Sequence, residues 1–294
     1  MNIKLIILML SGMMLFLMSC TEQIDIDTAD SEPVMVIYGC ITNKPEYQKI
    51  YLSRSAPYFQ DTHNDKISGA SVKVISSEND IWEFEEDSRE TGTYISNGMV
   101  NGIAGQSYTL CVEYDFNKDG VMEQYFSTTT MQPPFIADSV LINRTQMSGK
   151  NLYTANLYGQ EQNGQDYYCS RCYVNDSLVS VKITRYWTFD DKMYEGQYLS
   201  GLPVYFFADK QERDKYSDDE ADKLTFIGKG DKVSVEMIKI ERGYYNFLNQ
   251  CREGEGGESI FGGPPANIIS NITNGGIGFF TAFSPFRVET IVTE

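Results

Sequence analysis

The residue with the clearest chemistry is Cys20, which closes Leu17-Met-Ser-Cys20 at the end of an apolar stretch running from Leu5 to Met18 behind Lys4. Leu, two further residues and Cys is the pattern that a lipoprotein signal peptidase reads, and its product carries a covalent lipid on the Cys. About fourteen apolar-biased positions fall short of the roughly 20 that cross a bilayer as a helix. Residues 1–19 therefore read as a removed signal peptide and Cys20 as the lipidated first residue of the mature chain. The alternative is an ordinary secretory signal with a chance Cys.

Asp115-Phe-Asn-Lys-Asp-Gly120 reproduces the first six positions of a calcium loop. Asp115, Asn117 and Asp119 would supply oxygen ligands at positions 1, 3 and 5, and Gly120 the sharp turn. The twelfth position, which should be a bidentate Glu, is Phe126, and Glu123 sits three residues early. Flanked by alternating segments, Asp119-Gly120 reads more simply as the turn of a β-hairpin.

Cys169 and Cys172 form C-x-x-C inside a run that reads as a strand, where positions three apart point to opposite faces. A thioredoxin-like pair belongs at the start of a helix, and a zinc site would need a second ligand pair. The single histidine, His63, lies beside Asp61, Asn64 and Asp65 and reads as a polar loop. No G-x-S-x-G, H-E-x-x-H, P-loop or G-x-G-x-x-G occurs, so the chain is expected to be a non-enzyme with no cofactor beyond the lipid. With 41 acidic residues, some carboxylate pair will always suit a glycosidase, which empties that signal of weight.

Aromatic runs occur at Tyr186-Trp-Thr-Phe189, Tyr205-Phe-Phe207 and Phe279-Phe-Thr-Ala-Phe283. Buried core is the default for such residues. In a strand Trp187 and Phe189 share one face and Tyr186 takes the other. A flat exposed ring can stack on a sugar or a partner, and Trp187 is the candidate for that contact.

Lys and Arg total 24 against 41 Asp and Glu, for a net charge of -17. So acidic a chain repels phosphate backbones and anionic headgroups, which argues against nucleic-acid binding and leaves the lipid as the only expected membrane contact. Twenty Tyr and 16 Phe, with many Thr, Val and Ile, favour strands. Five cysteines lie beyond Cys20, namely Cys40, Cys111, Cys169, Cys172 and Cys251, an odd number that leaves at least one free.

The elements that must position these residues follow from the pattern. Residues 20–33 are polar and acidic and form a flexible tether. Residues 34–130 hold about seven short strands, at 34–41, 49–53, 71–75, 81–84, from 91, at 107–114 and at 122–129, separated by turn residues at the spacing of a small β-sandwich. Met131-Gln-Pro-Pro-Phe135 is a natural boundary, since paired prolines end strand pairing. Beyond it, residues 135–294 form a larger, mainly β domain with strands at 139–143, 152–158, 166–175, 204–207, 224–227 and 231–240. Residues 209–223 read as a charged, solvated helix or loop, and 241–252 as a helix from the spacing of Tyr244, Phe247, Leu248 and Cys251. Residues 254–274 are a Gly/Pro-rich loop, and 275–283 the final strand. Asn271-Ile-Thr273 matches a glycosylation sequon, which a bacterial lipoprotein leader discounts.

The tether's acidity directly after Cys20 resembles the surface-export signal of Bacteroidota lipoproteins. Gly69-Ala-Ser-Val-Lys-Val74, Gly92-Thr-Tyr94 and Gly105-Gln-Ser-Tyr-Thr-Leu110 resemble the transthyretin-like or immunoglobulin-like modules of bacterial surface proteins. The whole mature chain resembles a Bacteroidota lipoprotein family known as domain of unknown function 4249 (DUF4249). Val36-Ile-Tyr-Gly39, Leu52-Ser-Arg-Ser55, Ile67-Ser-Gly-Ala-Ser-Val72, Asp166-Tyr-Tyr168, Tyr244-Tyr-Asn-Phe-Leu248, Pro264-Pro-Ala-Asn-Ile268, Asn271-Ile-Thr-Asn-Gly275 and Gly278-Phe-Phe280 carry the resemblance by their order and coverage. It implies an outer-membrane lipoprotein facing the cell exterior, whose genes tend to neighbour TonB-dependent transporters. It therefore implies an accessory subunit of a SusC-like importer, with no catalytic residues to carry over. The alternatives are a stand-alone adhesion or structural lipoprotein, and a glycan-binding or glycan-cleaving protein.

Overall fold

The computed structural model describes residues 33–55, 65–179, 181–255 and 268–293. The leader, Cys20, most of the tether, His63 with Asp61 and Asn64, and residues 256–267 of the Gly/Pro-rich loop lie outside the described residues.

The first seven strands are β1 (Met35–Thr42), β2 (Lys49–Arg54), β3 (Ser71–Ser76), β4 (Ile81–Glu86), β5 (Thr93–Ser96), β6 (Ser107–Tyr114) and β7 (Glu123–Thr130). Their period-2 patterning explains them. In β7, for example, Tyr125, Ser127 and Thr129 are buried, while Gln124, Phe126 and Thr128 between them are exposed. Ten more strands follow: β8 (Ala137–Met147), β9 (Lys150–Gln160), β10 (Tyr167–Val174), β11 (Ser177–Leu178), β12 (Trp187–Asp190), β13 (Tyr198–Asp209), β14 (Phe226–Ile227), β15 (Lys232–Ile240), β16 (Ile277–Phe283) and β17 (Phe286–Ile291). The protein is mainly β, as expected. Among the described residues, helices are confined to the 3-10 turns Ile183–Arg185 and Lys210–Lys215, the short Asp218–Ala221 and the longer Arg242–Glu255.

Three sheets result among the described residues. Strands β16-β1-β2-β5-β4-β3-β6-β7 make one eight-stranded sheet that curls until its end strands, β7 and β16, lie against each other. The seam is partly stitched from the approach to β16, where Thr273 N–H donates to the Phe126 carbonyl at 2.9 Å and Phe126 N–H to the Thr273 hydroxyl at 2.8 Å. Strands β11-β10-β15-β17, with β12 also on β10, make the second sheet, and β14-β13-β9-β8 the third.

The last quarter of the chain thus returns to complete the first sheet, β16 pairing parallel with β1 from Val36–Ile277 to Thr42–Phe283. Residues 33–294 fall in one compact unit, with no break at residues 131–135. Gly278 is what allows β16 to come so close to β1. Its φ is +110°, and a Cβ there would lie 2.0 Å from the Ile37 carbonyl oxygen.

Two apolar cores flank the second sheet. On one side Tyr168, Cys172, Val233, Val235 and Met237 pack with Ala155, Leu157, Val204 and Phe207 of the third sheet. On the other, Cys169, Ile238 and Ile240 pack with Tyr244, Phe247 and Leu248 of the helix and with Phe279 and Phe283 of β16. Cys169 and Cys172 therefore point into different cores, as strand alternation requires. Burial pushes the Cys169 thiol up to about 12. Cys40, Cys111, Cys169 and Cys251 form no disulfide.

A charge sits inside the second of these cores. Glu236, fully buried on β15, faces Arg171 directly across the β10–β15 ladder. It accepts from Arg171 Nε at 2.7 Å, from Tyr173 Oη at 3.2 Å, and from Lys44 Nζ at 2.7 Å across the layers. Burial pushes the Glu236 carboxyl upward, but Arg171 and Lys44 outweigh it and hold the group below the usual range.

Three expectations need correction in detail. Residues 209–223 are not simply a solvated face: Asp209 is buried against Arg144 at 2.8 Å, and buried Glu212 accepts from the Asn151 backbone at 2.7 Å and Lys215 at 2.9 Å. Lys215 within the segment and Arg144 of β8 answer the two acids, and only the first of these partners is visible in the segment itself. Residues 275–283 are not the final strand, because β17 follows after a two-residue break and pairs with β15. Its exposed positions blurred the apolar signal, every second residue being open to solvent. Tyr205-Phe-Phe207 is core only in part: Phe207 is buried, while Phe206 faces out.

Two outcomes follow. Gly278→Ala should destabilise the fold by more than about 2 kcal/mol, since a blocked backbone contact and a disfavoured φ combine; denaturant melts that match the parent would refute the β1–β16 closure. Because the folded Glu236 pKa is depressed, its contribution is present above the unfolded value near 4.3 and is lost as pH falls through the folded value. Glu236→Gln should cost about 3 kcal/mol at pH 7 by leaving Arg171 uncompensated, and flatten the loss of stability below about pH 4.5, as read by urea midpoints across pH 3–7.

Candidate functional site

Strand β12 pairs with β10 from Tyr167–Asp190 to Ser170–Trp187 and carries the sequence-predicted contact residue near one end. Neighbouring side chains diverge as the alternation predicts. Tyr186 joins the core under the helix, while Phe189 stacks on Tyr168 at 5.2 Å between ring centres in the core facing the third sheet. Trp187 is 41% exposed and rests against Phe206 of β13, 42% exposed, with ring centres 5.6 Å apart at 55°. The second and third sheets meet at this point, where Ser170 Oγ donates to the Val204 carbonyl at 3.0 Å. Two tilted, half-exposed rings on adjoining sheets form a rigid apolar step. Such a step gives up little side-chain entropy when it is covered.

The helix Arg242–Glu255 fixes this step from behind. Arg252 donates to the carbonyls of Tyr186 and, at 3.3 Å, Thr184, and to the Thr188 hydroxyl, while Thr188 Oγ1 donates to Asn249 Oδ1 at 2.7 Å. The contacts therefore bracket Trp187 on both sides. Sequence reading placed the helix but not its grip, because Arg252 and Asn249 lie about sixty residues from what they hold.

A second constellation lies beyond the other end of β12. The β9–β10 connection (residues 161–166) and the β12–β13 connection (191–197) run together, joined by Glu161 N–H to the Gln197 carbonyl at 3.0 Å, Gly196 N–H to Gln162 at 3.2 Å and Asp191 N–H to Asp166 at 3.3 Å. One carboxylate oxygen from each of Glu161, Asp166 and Asp191 lies within 4.8 Å of the others. Glu161 and Asp191 are buried. Glu161 accepts from Tyr168 Oη at 2.6 Å and from Gln162 N–H at 3.0 Å, and Asp166 pairs with Lys239. Neither oxygen of Asp191 accepts a hydrogen bond of ordinary distance and angle among the described residues, although the backbone of Asp166 and its own backbone stand close enough to lower the carboxyl in part. Burial pushes both the Asp191 and Glu161 carboxyls above the usual range. No local motif marks this group in the sequence, since its members come from two separate loops.

The sequence-predicted calcium loop is the β6–β7 hairpin connection, with Tyr114 opposite Glu123. Asp115 accepts from the backbone N–H groups of Asp119 and Gly120, both at 3.0 Å, and Asp119 from Val121 at 2.8 Å. Asn117 Nδ2 donates to Glu123 at 2.7 Å. These oxygens brace the turn itself, and Trp187 is not brought near them by any described contact.

If Arg252 positions Trp187, then Arg252→Ala in a Trp82→Phe background, where Trp187 is the remaining indole, should raise acrylamide quenching and cost about 1–2 kcal/mol from the unpaired Tyr186 carbonyl. Unaltered quenching would show that the strand holds its shape without the helix.

The family described as domain of unknown function (DUF4249) matches residues 21–288. None of the curated proteins matches the chain. A match from residue 21 through β1 and into β17 spans all three sheets, and the chain belongs to the DUF4249 family.

Proposed function

We propose that this protein is a cell-surface lipoprotein, anchored in the outer membrane through Cys20, that works without catalysis as an accessory subunit of a TonB-dependent importer and meets its partner or substrate at the Trp187–Phe206 step. The observation that carries the binding role is the exposure and fixation of those rings. Buried interface cores favour aromatic anchors whose geometry is set before binding. The anchor rests on the Leu17-Met-Ser-Cys20 pattern, and the importer on the family resemblance. Strong negative charge suits a soluble body held off an anionic surface. The Gly/Pro-rich loop, whose described end exposes Ile268 and Ile269, would extend the contact.

A second reading draws on the same rings. Tilted aromatics can stack on the apolar face of a sugar, which would make the step a glycan platform.

A mild-detergent pull-down of the lipidated protein from its native outer membrane, followed by mass spectrometry, separates these. Recovery of one stoichiometric TonB-dependent transporter, reduced at least tenfold in Trp187→Ala/Phe206→Ala, is the expected result. Recovery of the protein alone overturns the accessory role, and glycan binding abolished by the same pair of substitutions would then put the platform reading in its place.

A further inference from the structure

Three carboxylates brought together in loops cost free energy unless their charge is answered. Lys239 answers one, through Asp166. Two negative charges remain on Glu161, Asp166 and Asp191, and Glu195 is near enough to Asp191 to raise its carboxyl further. Lys192, the next basic side chain along the loop, is engaged by Asp190 at 3.1 Å. Asp191 is 2% exposed, and neither of its oxygens accepts a hydrogen bond of ordinary distance and angle among the described residues, although one of them lies within 4.8 Å of oxygens from Glu161 and Asp166. A buried carboxylate without a donor is rare, and here it points at two others.

We propose that Glu161, Asp166 and Asp191 bind a calcium ion, which joins the 161–166 and 191–197 loops and fastens the end of β12. The donor set is all oxygen, the preference of a hard cation. Oxygens about 2.3–2.6 Å from one calcium ion can be up to roughly 5 Å apart, so three that lie within 4.8 Å of one another can share one ion; magnesium keeps several of its waters and demands near-ideal octahedral geometry, which suits adjustable loops less well. A divalent charge matches the two that Lys239 leaves unanswered. Three carboxylates can offer up to six oxygens, and flexible connections can adjust to the six to eight ligands that calcium takes. The site is separate from the 115–120 turn, whose carboxylates already accept from their own backbone. It also stands independently of what Trp187 contacts.

The test is thermal unfolding of the EDTA-treated mature protein titrated with calcium chloride, beside Asp191→Asn and Asp115→Asn/Asp119→Asn. In the parent, calcium at a hundredfold excess over its dissociation constant should raise Tm by about 5 °C or more, with magnesium well behind. Asp191→Asn should abolish the rise while melting at or above the metal-free parent, because it removes an unpaired buried charge and keeps the shape. The hairpin variant should keep the full rise. Terbium in place of calcium should give emission sensitised by nearby tyrosine, with Tyr168 beside Glu161, and Asp191→Asn should lose it. Absence of a calcium-dependent rise at 10 mM in the parent would overturn the proposal and leave a protonated Asp191 as the account of the cluster. A rise that survives in Asp191→Asn, or vanishes in the hairpin variant, would overturn it equally.

Discussion

The buried carboxylate of Glu236 is the constraint on which the arrangement of layers depends. Its apolar surroundings make it costly unless every lone pair is answered, and the answers come from two layers: Arg171 and Tyr173 on β10 of its own sheet, and Lys44 in the loop after β1. Apolar burial on both sides of β15 supplies the driving force for folding. The ion group decides how the layers register. A slip of β15 by one residue would turn Glu236 into the apolar core occupied by Val233, Val235 and Met237, away from Arg171 and Lys44. The charge thus excludes the wrong register more than it strengthens the right one.

The aromatic step inherits its position from that registered pair. β10 carries β15 on one edge and β12 on the other, so Trp187 lies opposite Ser170, the immediate neighbour of Arg171. The helix that grips β12 begins directly after β15, and Glu241 at the junction accepts from the Thr129 hydroxyl at 2.8 Å and from Thr130 N–H at 3.1 Å on β7. Tyr38 of β1 and Tyr244 of the helix share a hydroxyl hydrogen bond of 2.9 Å in the same core. The curled first sheet therefore fixes the helix, and the helix fixes Trp187, although no residue of that sheet touches Trp187 in any described contact.

Local patterning made much of this legible. The strand at 107–114 is bounded as its alternation predicts, the C-x-x-C splits between two cores, and Tyr244, Phe247 and Leu248 do share one buried helix face. What escaped the sequence depends on distant partners. β16 closes the first sheet across more than two hundred residues, and nothing in Gly275-Gly-Ile-Gly278 says which strand its glycines admit. Trp187 rests against Phe206 of β13, a partner that β12's own residues do not name. Buried acids are the sharpest case: in one dimension Asp209, Glu212 and Glu236 look like the other acidic residues, because burial of Asp209 and Glu236 rests on cations from other elements, and that of Glu212 on the Asn151 amide as well as on Lys215 of its own turn.

That contrast separates two kinds of acid in this chain. Among the described residues five carboxylates are buried: Glu161, Asp191, Asp209, Glu212 and Glu236. Asp209 has Arg144, Glu212 has Lys215 and the Asn151 amides, and Glu236 has Arg171 and Lys44. Glu161 has the Tyr168 hydroxyl and the Gln162 N–H. Each therefore has donors that account for its burial, and each lies where the fold needs a fixed register or a capped turn. Asp191 accepts none of ordinary distance and angle, although it stands where two loops and the end of a strand must be held together. A fold that answers every other buried acid from its own side chains and backbone, and leaves one aimed at two more, has placed a ligand's worth of negative potential in a single spot.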